Sequence, residues 1–311
     1  MKIFFLHPGK ANYPELAAYE SYFGRQGFTV YSGTMAEFDK SALGDDCILW
    51  CVMGFYPRLP KAKFVVHDYR SLSTGRLGGL KDYLKKIVNP TPSLRIFQNE
   101  RMRAEMNFND GVPVAMLPMG VPDWIFSEGE SSPDAPVHTF CYIGEMSKER
   151  RFDRVLSSYV DYARNRDCSF ILVGKPEDEI YRRFNGSRGL HFAGRKPQKE
   201  TLAIVSAAEF AVCYFPVHRP HCFQTPTKLL EYAALGKRIL CNDSVSNIST
   251  ANDLAIGTVI AGRYVFDALG DAWQTQAPYN EPDRLRGLTW DSVLNDSGVA
   301  GYLQAVSDAP A

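Results

Sequence analysis

Short apolar runs punctuate the N-terminal part of the chain: KIFFLH (2–7), DCILWCVM (46–53), KFVVH (63–67), LRIFQ (94–98) and PVAMLPM (113–119). Each has the length of a buried strand. Between some of them the apolar period lengthens to that of a helix. PELAAYESYFGRQG is an amphipathic helix stopped at Gly27, and RLGGLKDYLKKIVN sets Leu77, Leu80, Leu84 and Ile87 along one stripe. The alternation lapses in PDWIFSEGESSPDAPV (122–137), whose Pro, Ser, Gly and acidic content reads as a linker. It then resumes. TFCYIGEM, SFILVGK, LHFAGRK, EFAVCYFPV and KRILCND are strand-like, while RFDRVLSSYVDYARNR, KETLAIVSAA and TKLLEYAALG are helix-like. Strands flanked by helices predict parallel sheets covered on both faces. The expectation is an α/β chain of two domains, 1–124 and 137–282, joined by residues 125–136, with no internal repeat.

A length of 311 residues is that of about two domains. Apolar residues at 45% and charged residues at 23% are ordinary for a globular protein. Lys+Arg and Asp+Glu are both 35, so no global field attracts a polyanion. That speaks against nucleic acid as a partner and leaves room for one local phosphate pocket. No stretch reaches the roughly 18 apolar residues of a membrane span. MKIFFLHPGK breaks at Pro8-Gly9 and has no cleavage site of a signal peptide. Cysteines number seven, and Cys47, Cys51, Cys141, Cys213 and Cys241 lie in apolar contexts. Buried free thiols in a reducing cytoplasm are the expectation.

Chemistry-bearing residues recur where the strands of the second half end. Gly144, Ser147, Arg150 and Arg151 follow TFCYI, Gly174-Lys175 follows SFILV, and Gly194-Arg195-Lys196 follows LHFA. Open α/β sheets bind ligands at those carboxyl ends. Glycine lets a ligand approach backbone N–H groups, and arginine and lysine add charge-assisted contacts. The stretch QTPTKLLEYAALGKR (224–238) then opens a helix with Thr225-Pro226-Thr227, followed by Lys228 and Glu231. A helix start of this kind can cradle a diphosphate, with Lys228 neutralising it and Glu231 accepting from a ribose diol. It can equally be an N-cap at Thr227 with Lys228 and Glu231 solvated. Neither G-x-x-x-x-G-K-[ST] nor a G-x-G-x-x-G after a strand is present, which removes the P-loop and the dinucleotide fingerprint.

Taken together, YIGEMSKERRFDRVL, FILVGKPED, LHFAGRKPQKETLAIVSAAEFAVCYFP and TPTKLLEYAALGKRILCND resemble the donor domain of GT-B glycosyltransferases, nearest to the large family 4 group. The resemblance covers roughly 137–262, and P-x-K-x-x-E-Y-x-A-x-G-K is its most specific part. KFVVHDYRSLSTG resembles that group's strand ending in His-Asp, LPMGVPDWIF its lead into the linker, and LTWDSVL the helix that crosses back onto the first domain. The resemblance implies two Rossmann-like domains facing across a cleft, with 283–311 returning to the first. It implies sugar transfer from a nucleotide-sugar, UDP- or GDP-linked, to a glycan or lipid-linked acceptor, with no cofactor and no metal. A place in bacterial surface polysaccharide synthesis follows from the resemblance alone. Glu231 would hold the ribose, and Thr225, Pro226 and Thr227 would offer backbone N–H groups to the diphosphate. Arg150 or Arg151 and Lys228 would offset its charge, and Gly194-Arg195-Lys196 would line the base pocket. His67 would sit against the donor sugar or acceptor, and in an inverting enzyme Asp68 could be the general base. The glutamate that the family often carries eight positions before the ribose-binding one is here Phe223, which puts the donor-sugar contact in doubt. Two other readings of the same fold remain: a non-catalytic nucleotide-sugar-binding subunit and a nucleotide-sugar epimerase.

Other stretches divide between a functional and a plain reading. His218, His221 and Cys222 look like metal ligands but lack a clear fourth partner, and contact with the donor sugar is the expectation. Pro8-Gly9-Lys10 is either an acceptor-facing loop or a strand-to-helix turn. Tyr69, Arg70 and Ser71 either meet the acceptor or are solvated. Lys81–Lys86, with Leu80, Tyr83, Leu84 and Ile87, forms either a peripheral contact with anionic lipid or a solvated helix face.

Overall fold

The structure is a computed structural model and describes residues 1–9, 13–41, 43–52, 54–127, 138–270 and 273–308. Lys10, Met53 and residues 128–136 of the expected linker lie outside the described residues, while Asp123–Phe126 forms a 3-10 turn with Ile125 buried. The chain forms two compact units. One comprises Met1–Pro122, Phe223–Thr225 and Gly287–Ala311, and the other Asp123–Cys222 and Pro226–Arg286.

The first unit is built on a parallel sheet of β1 (Lys2–Leu6), β2 (Thr29–Gly33), β3 (Cys47–Val52), β4 (Phe64–Tyr69), β5 (Leu94–Phe97) and β6 (Val114–Met116), in the order β2-β1-β3-β4-β5-β6. Helices α1 (Pro14–Arg25), α2 (Met35–Lys40), α3 (Gly78–Val88) and α4 (Glu100–Met106) connect the strands. Every residue of β3 is buried, as expected where helices cover both faces of a parallel sheet. Phe5, Tyr19, Phe23 and Trp50 pack edge-to-face and tilted around one another at ring separations of 5.2–6.1 Å. Two C-terminal helices, Trp290–Asp296 and Val299–Asp308, belong to this unit. Trp290 meets the Tyr19 ring edge-on at 6.0 Å, and a Cβ on Gly120 would lie 2.7 Å from the Trp290 ring. Arg25 pairs with Asp291 at 2.5 Å.

Several local expectations change here. β2 and its following helix α2 do not stand out in the sequence. TVYSG is an edge strand with only Gly33 buried, so it carries no apolar run. KFVVH does not end at His67: β4 continues to Tyr69, which places His67 and Asp68 inside the strand on opposite faces of the sheet. PVAMLPM is a strand only over Val114–Met116. In α3 the period is helical as expected, but Leu77, Leu80, Leu84 and Ile87 are 62%, 54%, 46% and 63% exposed. The helix docks instead through Asp82, whose carboxylate accepts from the Ser73 N–H at 3.0 Å and lies 3.6 Å from Lys85.

The second unit repeats the plan with β7 (Phe140–Ile143), β8 (Phe170–Val173), β9 (Leu190–Gly194), β10 (Phe210–Cys213), β11 (Arg238–Cys241) and β12 (Val259–Ile260), all parallel in the order β12-β11-β10-β7-β8-β9. Its helices are α5 (Phe152–Ala163), α6 (Asp178–Phe184), α7 (Gln198–Ala207), α8 (Thr227–Ala234), α9 (Val245–Asp253) and α10 (Trp273–Gln276). An aromatic core of Phe140, Tyr159, Phe170, Phe210, Phe266 and Trp273 lies under the sheet. α9 escapes sequence reading because VSNISTAND is polar. It is held by a buried amide network in which Asn247 Nδ2 donates to Cys213 O and Asn242 Oδ1, both at 2.9 Å. None of the seven cysteines forms a disulfide; the five in apolar contexts are buried, and Cys168 and Cys222 are half-buried.

Candidate active site

Glycines end three adjacent strands of the second unit. Gly144, Gly174 and Gly194 have φ of +131°, +141° and +71°, outside what other residues adopt comfortably. A Cβ on Gly174 would lie 2.1 Å from Gly144 O, so the two strand-end loops are in direct backbone contact. A Cβ on Gly144 would meet Lys228 Nζ at 3.2 Å.

α8 delivers Lys228 to this point from its first turn. The amine donates to Tyr142 OH at 3.0 Å and to Tyr214 O at 3.5 Å, and stands 4.1 Å from the centre of the Tyr142 ring. These partners are uncharged, and among the described residues no carboxylate forms an ion pair with the amine. One turn further, Glu231 is buried and accepts from Gln198 Nε2 at 2.9 Å. Burial raises its pKa, opposed by the Gln198 hydrogen bond and then by Lys228. Gln198 is the first residue of α7. Lys228, Gly144 and Gly174 thus meet at the strand ends, with Tyr142 as a partner that the sequence does not supply, and Glu231 stands one turn along α8, held by Gln198.

Other expected site residues are placed differently. Pro226 has no backbone N–H and can present none to a phosphate; it occupies the N-cap of α8 and accepts from Leu229 N through its carbonyl at 2.9 Å. The N–H groups of Thr227 and Lys228 open the helix, where no preceding turn offers them an acceptor. Thr225 belongs to the first unit, where its N–H donates to Gln98 Oε1 at 2.9 Å and its hydroxyl accepts from Asn99 Nδ2 at 3.1 Å. Ser147 is buried, and its hydroxyl accepts from Arg150 N at 3.4 Å, so it braces the turn into α5. Arg150 pairs with Glu145 at 3.2 Å. Arg151, exposed and left-handed at φ +56°, lines a cavity of about 550 Å³ with Lys148, Arg154 and Tyr264. Lys175, Arg195 and Lys196 are exposed, with Lys196 3.6 Å from Glu200.

In the first unit, Asp68 is fully buried. It accepts from Tyr19 OH and Trp50 Nε1, both at 3.1 Å, and pairs with Arg70 at 2.8 Å. That geometry makes it the anchor of a core charge network and gives an acceptor hydroxyl no access to it. Tyr69 and Arg70 are buried as well, and Ser71 is exposed. His67 is 1% exposed on the opposite face. Burial, helped by the charge of Arg95, pushes its pKa down to about 4. The folded chain thus binds fewer protons than the unfolded chain between about pH 6.5 and 4. The stability His67 contributes is fully present above its unfolded pKa and is lost as pH falls through the folded one. Acid should cost up to about 3 kcal/mol by this route. Urea unfolding of wild type and His67→Leu across that range checks it, since the variant should lose the corresponding part of the slope.

No family model matches the sequence, and no curated protein matches it. Solved structures do match. AviGT4, a glycosyltransferase involved in avilamycin A biosynthesis, aligns over 99% of both chains at 14% identity and a TM-score of 0.62. HepE from Anabaena, solved with UDP, aligns over 98% of this chain and 100% of its own at 11% identity and a TM-score of 0.66. The lipopolysaccharide outer core galactosyltransferase WaaB aligns over 98% and 100% at 10% identity and a TM-score of 0.57. The chain has the GT-B fold that these glycosyltransferases share, with two parallel six-stranded α/β sheets.

Proposed function

We propose that the chain is a GT-B glycosyltransferase that moves a sugar from a UDP- or GDP-linked donor to a hydroxyl of a glycan or lipid-linked acceptor. The observation that carries this is the pairing, at the carboxyl ends of parallel strands, of Lys228, held by uncharged partners above Gly144, with a buried Glu231 one turn along α8. Departure of a nucleoside diphosphate builds negative charge on the phosphates. Lys228, the first N–H groups of α8 and the Arg150–Arg151 turn can stabilise that charge where it develops, and this chemistry needs no metal or cofactor. Glu231, fixed by Gln198, is suited to accept from a ribose diol. HepE was solved with UDP, with UDP and glucose and with UDP-glucose, which supports the same class of donor here. A bacterial surface polysaccharide as the product remains part of the same proposal, as does a location at the inner face of the membrane.

A thermal-shift panel with UDP, GDP, ADP and CMP, followed by the matching nucleotide-sugars, tests the donor site. Saturation at about 100 times Kd adds about 2.7 kcal/mol of stability. Glu231→Ala should weaken nucleotide binding by about 1–3 kcal/mol while keeping the fold. Unchanged affinity would reject its ribose role. Nucleotide binding without transfer to any acceptor would favour a non-catalytic binding subunit. UDP release with an altered sugar and no acceptor would favour an epimerase.

The exposed stripe of α3, bordered by Lys81, Lys85 and Lys86, supports peripheral contact with anionic lipid. Among the described residues, no helix is long and apolar enough to cross a membrane. Co-sedimentation with phosphatidylglycerol vesicles should fall several-fold in Leu80→Asp/Ile87→Asp, and equal sedimentation of both proteins would remove the idea.

A further inference from the structure

Two histidines and a glutamate from separate loops of the second unit meet at one point. Glu149 lies in the turn between β7 and α5, and His218 and His221 lie in the segment after β10. Their ligand atoms all fall within 4.8 Å of one another. Glu149 faces both imidazoles, one with each oxygen: Oε1 is 3.3 Å from His218 Nε2 and Oε2 is 3.6 Å from His221 Nε2. The second separation is longer than a hydrogen bond. A tetrahedral zinc ion with bonds of about 2.1 Å holds its ligand atoms about 3.4 Å apart. The two carboxylate–imidazole separations, one to each oxygen of Glu149, lie near that spacing, and the third pair of ligand atoms lies within 4.8 Å.

The backbone at or beside each of the three residues is tied down. His221 is buried, its ring meets Phe215 edge-on at 5.6 Å, and its carbonyl accepts from Ser246 Oγ at 2.8 Å. The loop between the histidines is closed by Cys222 N donating to His218 O at 3.2 Å. The turn bearing Glu149 is tied down next door, where Arg150 O accepts from Tyr214 OH at 2.8 Å. The adjacent Arg150 guanidinium pairs with Glu145, and its charge is also felt at His221. The sequence groups Cys222 with the two histidines. The cluster formed in space is instead Glu149, His218 and His221.

We propose that Glu149, His218 and His221 bind a divalent transition ion of the zinc type, with three protein ligands and a fourth position open to solvent. Two imidazoles and a carboxylate are a donor set that zinc accepts, and an open fourth position is the form of a non-structural zinc site. Glu149 and His218 are partly exposed, which leaves that position reachable. The ion ties the turn carrying Arg150 and Arg151 to the loop after β10. This assignment does not rest on the transferase reading and gives the ion no step in sugar transfer.

The test uses the tag-free full chain, stripped with chelator and titrated with Co²⁺ and then Zn²⁺. Wild type should take up a single equivalent of Co²⁺ with the visible bands of a four- or five-coordinate ion, release it to Zn²⁺, and melt higher with Zn²⁺. His218→Ala and Glu149→Gln should each lower the affinity by at least about 100-fold, more than the loss of an outer-shell partner does. Both positions are partly exposed, and circular dichroism confirms their fold. If His218→Ala fails to fold, His218→Gln takes its place. No uptake by wild type overturns the proposal, as does uptake that survives in both variants. An intense thiolate charge-transfer band that persists in the variants also overturns it, because the ion would then be held by cysteine.

Discussion

Gly174→Ala should cost about 4 kcal/mol or more and abolish the proposed nucleotide binding. Two causes add. The backbone at φ +141° lies where a side chain is strained whatever the space around it. The added Cβ would also lie 2.1 Å from Gly144 O, a backbone atom that cannot swing aside. Relief requires the β7 and β8 ends to part, which moves Gly144 away from Lys228 and Tyr142. Gly186→Ala is the control. Gly186 also has a positive φ, +83°, but nothing lies within 4 Å of its Cβ position, so it should lose only the modest cost of the left-handed backbone. Urea midpoints and the UDP thermal shift read both variants. Equal losses at the two positions would mean that the loop contact contributes nothing.

Asp68→Ala should cost about 3–5 kcal/mol, because it strands the buried guanidinium of Arg70. Arg70 is 7% exposed, and besides Asp68 it donates to Leu117 O at 2.7 Å. Glu15, buried nearby, has its pKa raised by burial against the pull of Arg70, so it is a poor substitute anion. The same change leaves Tyr19 OH and Trp50 Nε1 without their shared acceptor. The double variant Asp68→Leu/Arg70→Met should recover most of the loss, since removing both charges leaves nothing to compensate. A general base would behave otherwise: Asp68→Asn would then keep full stability and lose the chemical step. Unfolding midpoints beside transfer rates for Asp68→Asn and Asp68→Ala distinguish the two.

The sequence by itself determined the class of fold and marked out Lys228, Glu231 and the strand-end glycines as a candidate site. Strand runs and helical periods are local properties, so the α/β alternation could be read directly. Lys228 and Glu231 sit one turn apart on a single helix, and the glycines at 144, 174 and 194 mark strand ends whatever the strands pack against. What lies far apart along the chain was decided only by tertiary structure. Gln198 reaches Glu231 across 33 positions, and Glu149 joins His218 across 69. The period of α3 announced an apolar stripe, but not that Asp82 would dock the helix and turn that stripe outward. β4 ran two residues beyond its apolar run, which set His67 and Asp68 back to back inside the sheet. Periodicity records which residues share a face; only packing, through burial and the pairing of polar groups it forces, decides where that face points and what meets it.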